Sequence, residues 1–548
     1  MAPLPSTLMD ANVLKLEDSK AARAYAAIGA MVRSGDLAGA SSHAEILTRD
    51  KPGFARGWLA RAHVAAARGE RDSAAYFVRR AAALAPHDIS TCAYAAKVLA
   101  ENGAIMEAAA LAHDALRHQP REAKLLDIIG HALTLCGDHA AARSCFERAA
   151  AIPPVPSARW FNLGAAQRYA GDIPQAEKSF EQAIESSPTN SEAHLALAGL
   201  KDTDPSEGRI ERLKKHLESA GFDWRAETQL RYALGKELER AGRWSEAFSA
   251  YRDGATLKRR MTQYDAQKEL DALAAIEETH NAPSTPPSEG PGEEAIFIVG
   301  LPRTGTTLVE RILGAHPGVT SKGELNDFAN ALVKQVKLEA AGRLMTRRAF
   351  VEAAARTDFG AVGAAYLQSA RDRFPKGERF IDKMPLNSLY VGSILQALPK
   401  AKVIHVTRDP LDAACAIYTT LFNYAYAWSY DLSELADYMM AHERLMNHWR
   451  QQFGDRILSI SYEELVRTPE EVTSKLLAHC ALNWNDSCLR FFEDASPSTT
   501  ASATQVRRPV YTTSVGRWRR YETEMNKVSE RFHANNFVIW SKAGTGNA

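Results

Sequence analysis

Apolar and small residues recur along the first 260 positions with a helical period inside a longer one. Pro52, Pro86, Pro120, Pro154 and Pro188 stand at intervals of 34, and twelve residues before each lies Ala40, Ala74, Ala108, Ala142 or Ala176. The clearest unit is WFNLGAAQRYAGDIPQAEKSFEQAIESSP. It puts Trp160, Leu163 and Gly164 on a first helix, Ala176, Phe180 and Ala183 on a second, and Pro188 at its end. The unit before it keeps Gly130, Ala142, Phe146 and Ala149, and an earlier one keeps Trp58. Small residues at 142 and 176 predict closely approaching antiparallel helices, with Phe146 and Phe180 filling the space between neighbouring pairs. Each proline stops a second helix. A further unit, YALGKELERAGRWSEAFSAYRDGA, carries Gly235, Ala247 and Tyr251 beyond a less regular helical stretch at roughly 191–227. Helical patterning continues to about Glu278. Then NAPSTPPSEGPGEE (281–294), rich in Pro, Gly and Ser and without periodicity, reads as a linker.

Beyond the linker the pattern changes. The apolar run AIFIV (295–299) leads into GLPRTGTT and then LVERILGAHP, which predicts buried strand, glycine turn and helix. The turn has the glycine and threonine spacing of a P-loop, with Thr306 where the lysine would stand. Loop amides and the helix N-terminus suit an anion, Gly305 admits close approach, and Thr307 adds a hydroxyl. ERFIDKMP predicts a strand ending at Lys383, KVIHVTRDP one ending at Arg408 and Asp409, and RILSISYEEL a fourth delivering Tyr462. Ligands of open parallel sheets gather beyond the carboxyl ends of strands, so Arg303, Lys383 and Arg408 are expected to share a polyanion.

Composition adds limits. With 45% hydrophobic and 24% charged residues, the chain is ordinary globular protein, and a net charge of +1 gives no overall field for nucleic acid or an anionic membrane. Six cysteines without a C-x-x-C pair suggest neither a disulfide framework nor a zinc site, and no carboxylate or histidine cluster suggests a metal. No run approaches the ~20 apolar residues of a membrane span. The first residues lack the basic flank and apolar core of a signal peptide, so a cytoplasmic location with reduced thiols is expected.

Two resemblances sharpen these readings. The 34-residue units resemble tetratricopeptide repeats, with five clear copies and one or two degenerate ones. The order PRTGTT, a glutamate after the first helix, DK, then RDPLDAACAIY resembles the sulfotransferases that use 3′-phosphoadenosine 5′-phosphosulfate. The match is to the tyrosylprotein sulfotransferase branch and its repeat-bearing bacterial relatives, and it runs from about 295 to at least 525. Together they imply an α-solenoid followed by an α/β domain with a central parallel sheet and a P-loop-like phosphosulfate loop. The expected organisation is an N-terminal tail (1–20), solenoid (21–260), helix end and linker (261–294) and sulfotransferase domain (295–548).

By the same resemblance, Arg303, Thr304, Gly305, Thr306 and Thr307 form the 5′-phosphosulfate loop. Arg408 opens the 3′-phosphate motif and Tyr462 contacts adenosine. Ser502, Arg508, Tyr511 and Arg517 belong to the segment covering the cofactor, in SATQVRRPVYTTSVGRW. Glu324 takes the place of the catalytic base, and Lys383, with Arg303, that of the groups stabilising charge on the transferred and leaving oxygens. A loop for this donor has no β- and γ-phosphates to hold, which accounts for the missing P-loop lysine. His316 is expected to cap or pack at a helix end, and Cys415 has no histidine partner to activate it. The family's motif serine falls on Ala416 and a further arginine on Thr420. A lost hydrogen bond to a charged group costs about 1.5–3 kcal/mol, with Arg517 and Ser514 as candidates to compensate.

The expected activity is sulfuryl transfer from the nucleotide to a hydroxyl, protein tyrosine among the candidates, with no metal. A protein acceptor is favoured over glycan, lipid or metabolite. The solenoid is expected either to stack as a spacer or to hold a peptide or protein segment on its concave face, the second being favoured. Neither nucleic acid nor a membrane span is expected. The competing expectation is a repeat scaffold whose nucleotide domain transfers nothing.

Overall fold

The computed structural model describes residues 19–200, 207–219, 221, 223–280, 289–321, 323–341, 343, 345–371, 379–422, 425–493 and 509–537. The chain divides into two compact units, Met1–Pro188 and Thr189–Ala548.

In the first unit ten described helices, from Ser19–Ser34 to Ile173–Ser186, pair into five hairpins. The five periodic alanines are the points of closest approach, none more than 1% exposed. A Cβ at Gly164 would lie 2.8 Å from the Phe180 ring, so a larger residue there would displace the aromatic that seals the pair. A third period joins those of alanine and proline. Gly35, Gly69, Gly103, Gly137 and Gly171 each turn the chain between two helices with φ between +76° and +85°. In that left-handed conformation the following amide reaches back to a helix carbonyl, as in Glu70 N–H to Ala65 O (2.8 Å) and Asp172 N–H to Gln167 O (2.9 Å). The first unit is thus a helical-repeat solenoid.

The second unit is built on a parallel sheet of five strands, β1 (Ala295–Gly300), β2 (Val319–Ser321), β3 (Arg379–Asp382), β4 (Lys402–Thr407) and β5 (Ile457–Ser461), in the order β2-β3-β1-β4-β5. Every residue of β1 is buried, as its unbroken apolar run requires when helices cover both faces. Phe297 and Val299 pack with Phe328, Tyr366 and Trp449 on one side. Ile296 and Ile298 pack with Val309, Ile312 and Leu476 on the other. Four strands answer to sequence runs. β2, only three residues long, has no apolar run and exists by pairing with β3, Val319 opposite Arg379.

The helices Trp224–Arg240 and Trp244–Met261, which carry the last repeat signature, belong to this second unit. They pack on the helix Pro410–Tyr418 and its surroundings. The Tyr232 hydroxyl donates to Tyr418 O (3.1 Å), Phe248 stacks on Tyr418 with centroids 5.5 Å apart, and Arg259 makes two 2.7 Å bonds to Glu434. Residues 281–288 of the expected linker lie outside the described residues. Those that follow are tied to the sheet, with Lys400 N–H donating to Pro291 O (3.2 Å) and Phe380 N–H to Glu294 O (2.8 Å). Among the described residues no helix is long and apolar enough to cross a membrane.

Candidate functional site

Strand β1 delivers Gly300 to the turn, and the helix Thr306–Gly314 begins six residues later. Gly305 has φ +104°, and a Cβ there would meet the Tyr462 ring at 2.7 Å, so conformation and space both demand glycine. Thr304, Thr306 and Thr307 are buried in the loop, and the Thr304 hydroxyl donates to Leu301 O (2.8 Å). Among the described residues the amides of Gly305, Thr306 and Thr307 donate to no backbone carbonyl. Donors left open at a helix start, together with its dipole, make an anion cradle.

Three arginines converge beside it. Arg408, just past β4, donates to Arg303 O (3.0 Å) and Ser514 O (2.6 Å) and lies over the Tyr462 ring at 4.9 Å. It thereby ties the loop, β5 and the segment around 514 together. Burial lowers the Arg303 pKa to about 10, and the charges of Arg408 and Arg517 add to the fall. Arg517 is held by Glu239 in the helix Trp224–Arg240, whose carboxylate also accepts from the Tyr521 hydroxyl (2.9 Å) and the Tyr251 hydroxyl (3.2 Å). Burial opposes charge on both partners, yet their attraction holds Arg517 above its ordinary pKa and Glu239 below its own. Asp412 accepts from the amides of Gly516 (2.6 Å) and Trp518 (2.9 Å), fixing the segment that carries Arg517. A cavity of about 460 Å³ touches Thr304, Arg408, Ser461 and Glu463, at the carboxyl ends of β4 and β5.

On the other side of β1, β3 delivers Lys383, only 1% exposed. Its ammonium donates to Glu324 Oε1 at 2.7 Å and lies 3.6 Å from Glu310 Oε2. Glu310 comes from the helix that opens at the loop and accepts from the Ser321 hydroxyl (2.7 Å). A buried ammonium needs such partners, and the pair fixes both where Lys383 points and where Glu324 waits. The Glu324 side chain stays half exposed, accessible to an incoming group. Its charge adds to the burial that raises the Tyr426 pKa, and Tyr426 packs against Phe422 and Trp428. Next to Lys383, fully buried Asp382 accepts from the Tyr366 hydroxyl (3.0 Å) and Asn387 Nδ2 (3.1 Å), and burial pushes its pKa up to about 8.

The structure therefore gathers Arg303, Thr304, Gly305, Thr306, Thr307, Arg408, Tyr462 and Arg517 on one side, and Lys383 with Glu324 on the other. Tyr511 is described and acts electrostatically on Arg303, while Ser502 and Arg508 lie outside the described residues. His316 braces a loop, Nε2 meeting Asn483 O (3.1 Å) and Nδ1 accepting from Gly318 N–H (3.0 Å). The Cys415 thiol is buried and raised to about 12, which leaves it protonated. At the two departures from the family pattern, Ala416 offers no side-chain donor, and the Thr420 hydroxyl is spent on Ala416 O (2.8 Å). Sequence reasoning missed Glu310, Asp412 and Glu239. The last sits in KELER, where the repeat pattern had already accounted for the helix. Among the described residues no group of three or more His, Cys, Asp or Glu side chains is placed to hold a metal.

Comparison with known proteins bears on both units. Residues 295–486 match the family described as "Sulfotransferase family", and residues 158–190 match the tetratricopeptide repeat. An uncharacterized protein of Aquifex aeolicus (strain VF5) is 30% identical over 66% of this chain and 48% of its own length. Protein-tyrosine sulfotransferase 1 of Danio rerio is 26% identical over 46% of this chain and 73% of its own. Protein-tyrosine sulfotransferase of Drosophila melanogaster is 26% identical over 41% and 46%. The chain thus spans about half the length of two of these three relatives. Among solved structures, the sulfotransferase domain of the Synechococcus PCC 7002 olefin synthase aligns with 46% of this chain and 98% of its own, at 18% identity and a TM-score of 0.32.

Proposed function

We propose, for a chain that joins tetratricopeptide repeats to a sulfotransferase-family domain, that it transfers a sulfuryl group from 3′-phosphoadenosine 5′-phosphosulfate to a hydroxyl acceptor. The observation that carries this reading is the Lys383–Glu324 contact of 2.7 Å at the strand end beside the phosphate loop. Glu324, half exposed, takes the proton of the acceptor hydroxyl. The acceptor oxygen forms its bond to sulfur as the bond from sulfur to the bridging oxygen breaks, and the electron pair stays with the departing 5′-phosphate. Lys383 and Arg303 stabilise the charge arriving on those oxygens, with the loop amides of Gly305, Thr306 and Thr307. Thr304 fixes the loop, Arg408 and Tyr462 hold the 3′-phosphate and the adenosine, and Arg517, Tyr511, Ser502 and Arg508 cover the donor. A protein hydroxyl, tyrosine included, is the favoured acceptor, with the repeats holding acceptor or partner.

Incubation of the full chain with labelled donor and candidate acceptors tests this. Transfer is expected, and Glu324→Ala should reduce turnover about 10²–10⁴-fold while leaving nucleotide affinity intact. Undiminished turnover would remove Glu324 as base. A second reading, a scaffold with a silent nucleotide domain, draws on Ala416 and on the Thr420 hydroxyl turned to its own helix. Calorimetry with 3′-phosphoadenosine 5′-phosphate separates the two, since only the scaffold survives a complete lack of binding.

A further inference from the structure

The helix Trp224–Arg240 does more than pack against the domain. Lys236 and Glu239 stand three residues apart, hence neighbours on one helix face, and that face turns to Arg303 and Arg517. Glu239 accepts three hydrogen bonds, at one oxygen from Arg517 and Tyr521 and at the other from Tyr251, and none of them comes from Lys236. Among the described residues the Lys236 ammonium makes no hydrogen bond or ion pair, although the side chain is partly buried. Burial lowers its pKa to about 8; Glu239 opposes the fall, while Arg303, Arg517 and Arg240 deepen it. Arg408, beside Arg303, is met by two carbonyl oxygens and, among the described residues, by no carboxylate. An ammonium with no partner among the described residues, set near Arg303 and the Arg517–Glu239 pair, is costly where it is partly out of water. An arriving polyanion reverses that cost.

We propose that Lys236 is a ligand of the donor's 5′-phosphosulfate end, an ammonium carried by the repeat-like hairpin into the oxyanion site between the loop Arg303–Thr307 and Arg517, with Glu239 positioning Arg517 beside it. The proposal rests on the donor reading above. It makes the hairpin part of the nucleotide site, although the hairpin lies outside residues 295–486, where the family match falls.

The test uses the full chain and 3′-phosphoadenosine 5′-phosphate, followed by calorimetry from pH 7 to pH 9. Lys236→Met should weaken binding about ten- to a hundredfold, the range for a lost hydrogen bond to a charged group, and Lys236→Arg should restore most of it. In the wild type, affinity should fall as pH rises through about 8, because the anion binds the protonated ammonium, and this fall should vanish in Lys236→Met. Binding by Lys236→Met within twofold of wild type overturns the proposal. So does a wild-type affinity that stays flat from pH 7 to pH 9, a readout that needs no variant to fold. A wild-type chain that binds no nucleotide overturns the donor reading itself, a result distinct from either.

Discussion

The hairpins Ser157–Ser186 and Trp224–Met261 are built on one packing signature and serve different structures. In each, a glycine admits an aromatic from the facing helix, Gly164 for Phe180 and Gly235 for Tyr251, and a fully buried alanine, Ala176 or Ala247, marks the crossing. Their outer faces differ. The first hairpin is linked to the preceding one by Arg143–Asp172 (3.2 Å) and Arg159–Asp127 (3.0 Å), as repeats in a solenoid are. The second turns Tyr232, Phe248, Arg259 and Glu239 towards Tyr418, Glu434, Arg517 and Tyr521. A repeat signature records how two helices close on each other. What the pair then leans on is decided by residues the signature leaves free.

The largest effect that can break this comparison is expected at Glu239. Replacing it by Ala leaves the Arg517 guanidinium and two tyrosine hydroxyls facing no acceptor, and removing one partner of a buried pair costs about 3–5 kcal/mol. Hydrogen exchange should rise across the second unit while the helices of residues 19–186 keep their protection; uniform loosening would show the hairpin to be an ordinary repeat. The converse change is Ala176→Leu. Overpacking that crossing should destabilise the first unit by about 1–3 kcal/mol and leave nucleotide affinity unchanged. A parallel loss of affinity would sink the separation of roles. Smaller still is Gly305→Ala, where left-handed strain of about 1–2 kcal/mol and the Tyr462 contact should weaken nucleotide binding roughly tenfold, lower the second unit's melting by a few degrees and leave the first unit's unmoved.

These contrasts also explain how much could be read from the chain. Four strands, the loop and the five alanine crossings are local patterns, written in consecutive or periodic residues. The strand-end positions of Arg303, Lys383 and Arg408 were legible because a parallel sheet places strand ends together. β2 was not, since VTS has no pattern of its own and depends on its partner. Glu310 was hidden for a similar reason. It sits mid-helix in LVERIL and gains meaning only when Ser321 and Lys383 arrive from elsewhere. Lys236 and Glu239 were obscured by success, because the repeat pattern explained their helix fully.

A last contrast concerns Asp382, and it separates the two units by pH. Both contain buried histidines held neutral, His63 in the first with a pKa lowered to about 3 by burial and His442 in the second lowered to about 4. For each, stability present above the unfolded pKa is lost as pH falls, so acid weakens both units. Asp382 acts at the other end. Its pKa of about 8 lies above the roughly 3.9 of an unfolded aspartate, so the folded state keeps a proton that the unfolded state releases. The stability this proton gives is complete below about pH 4, declines as pH rises and is gone past about 8. In Asp382→Asn an amide can serve both partners, its oxygen accepting from Asn387 Nδ2 and its N–H₂ donating to the Tyr366 oxygen, with nothing left to titrate. Urea midpoints should therefore differ little between variant and wild type at pH 5, and by pH 8 the variant's second unit should be the more stable. An unchanged pH dependence in the variant would mean that the buried carboxyl is ionised in the folded protein, its charge balanced by Lys383.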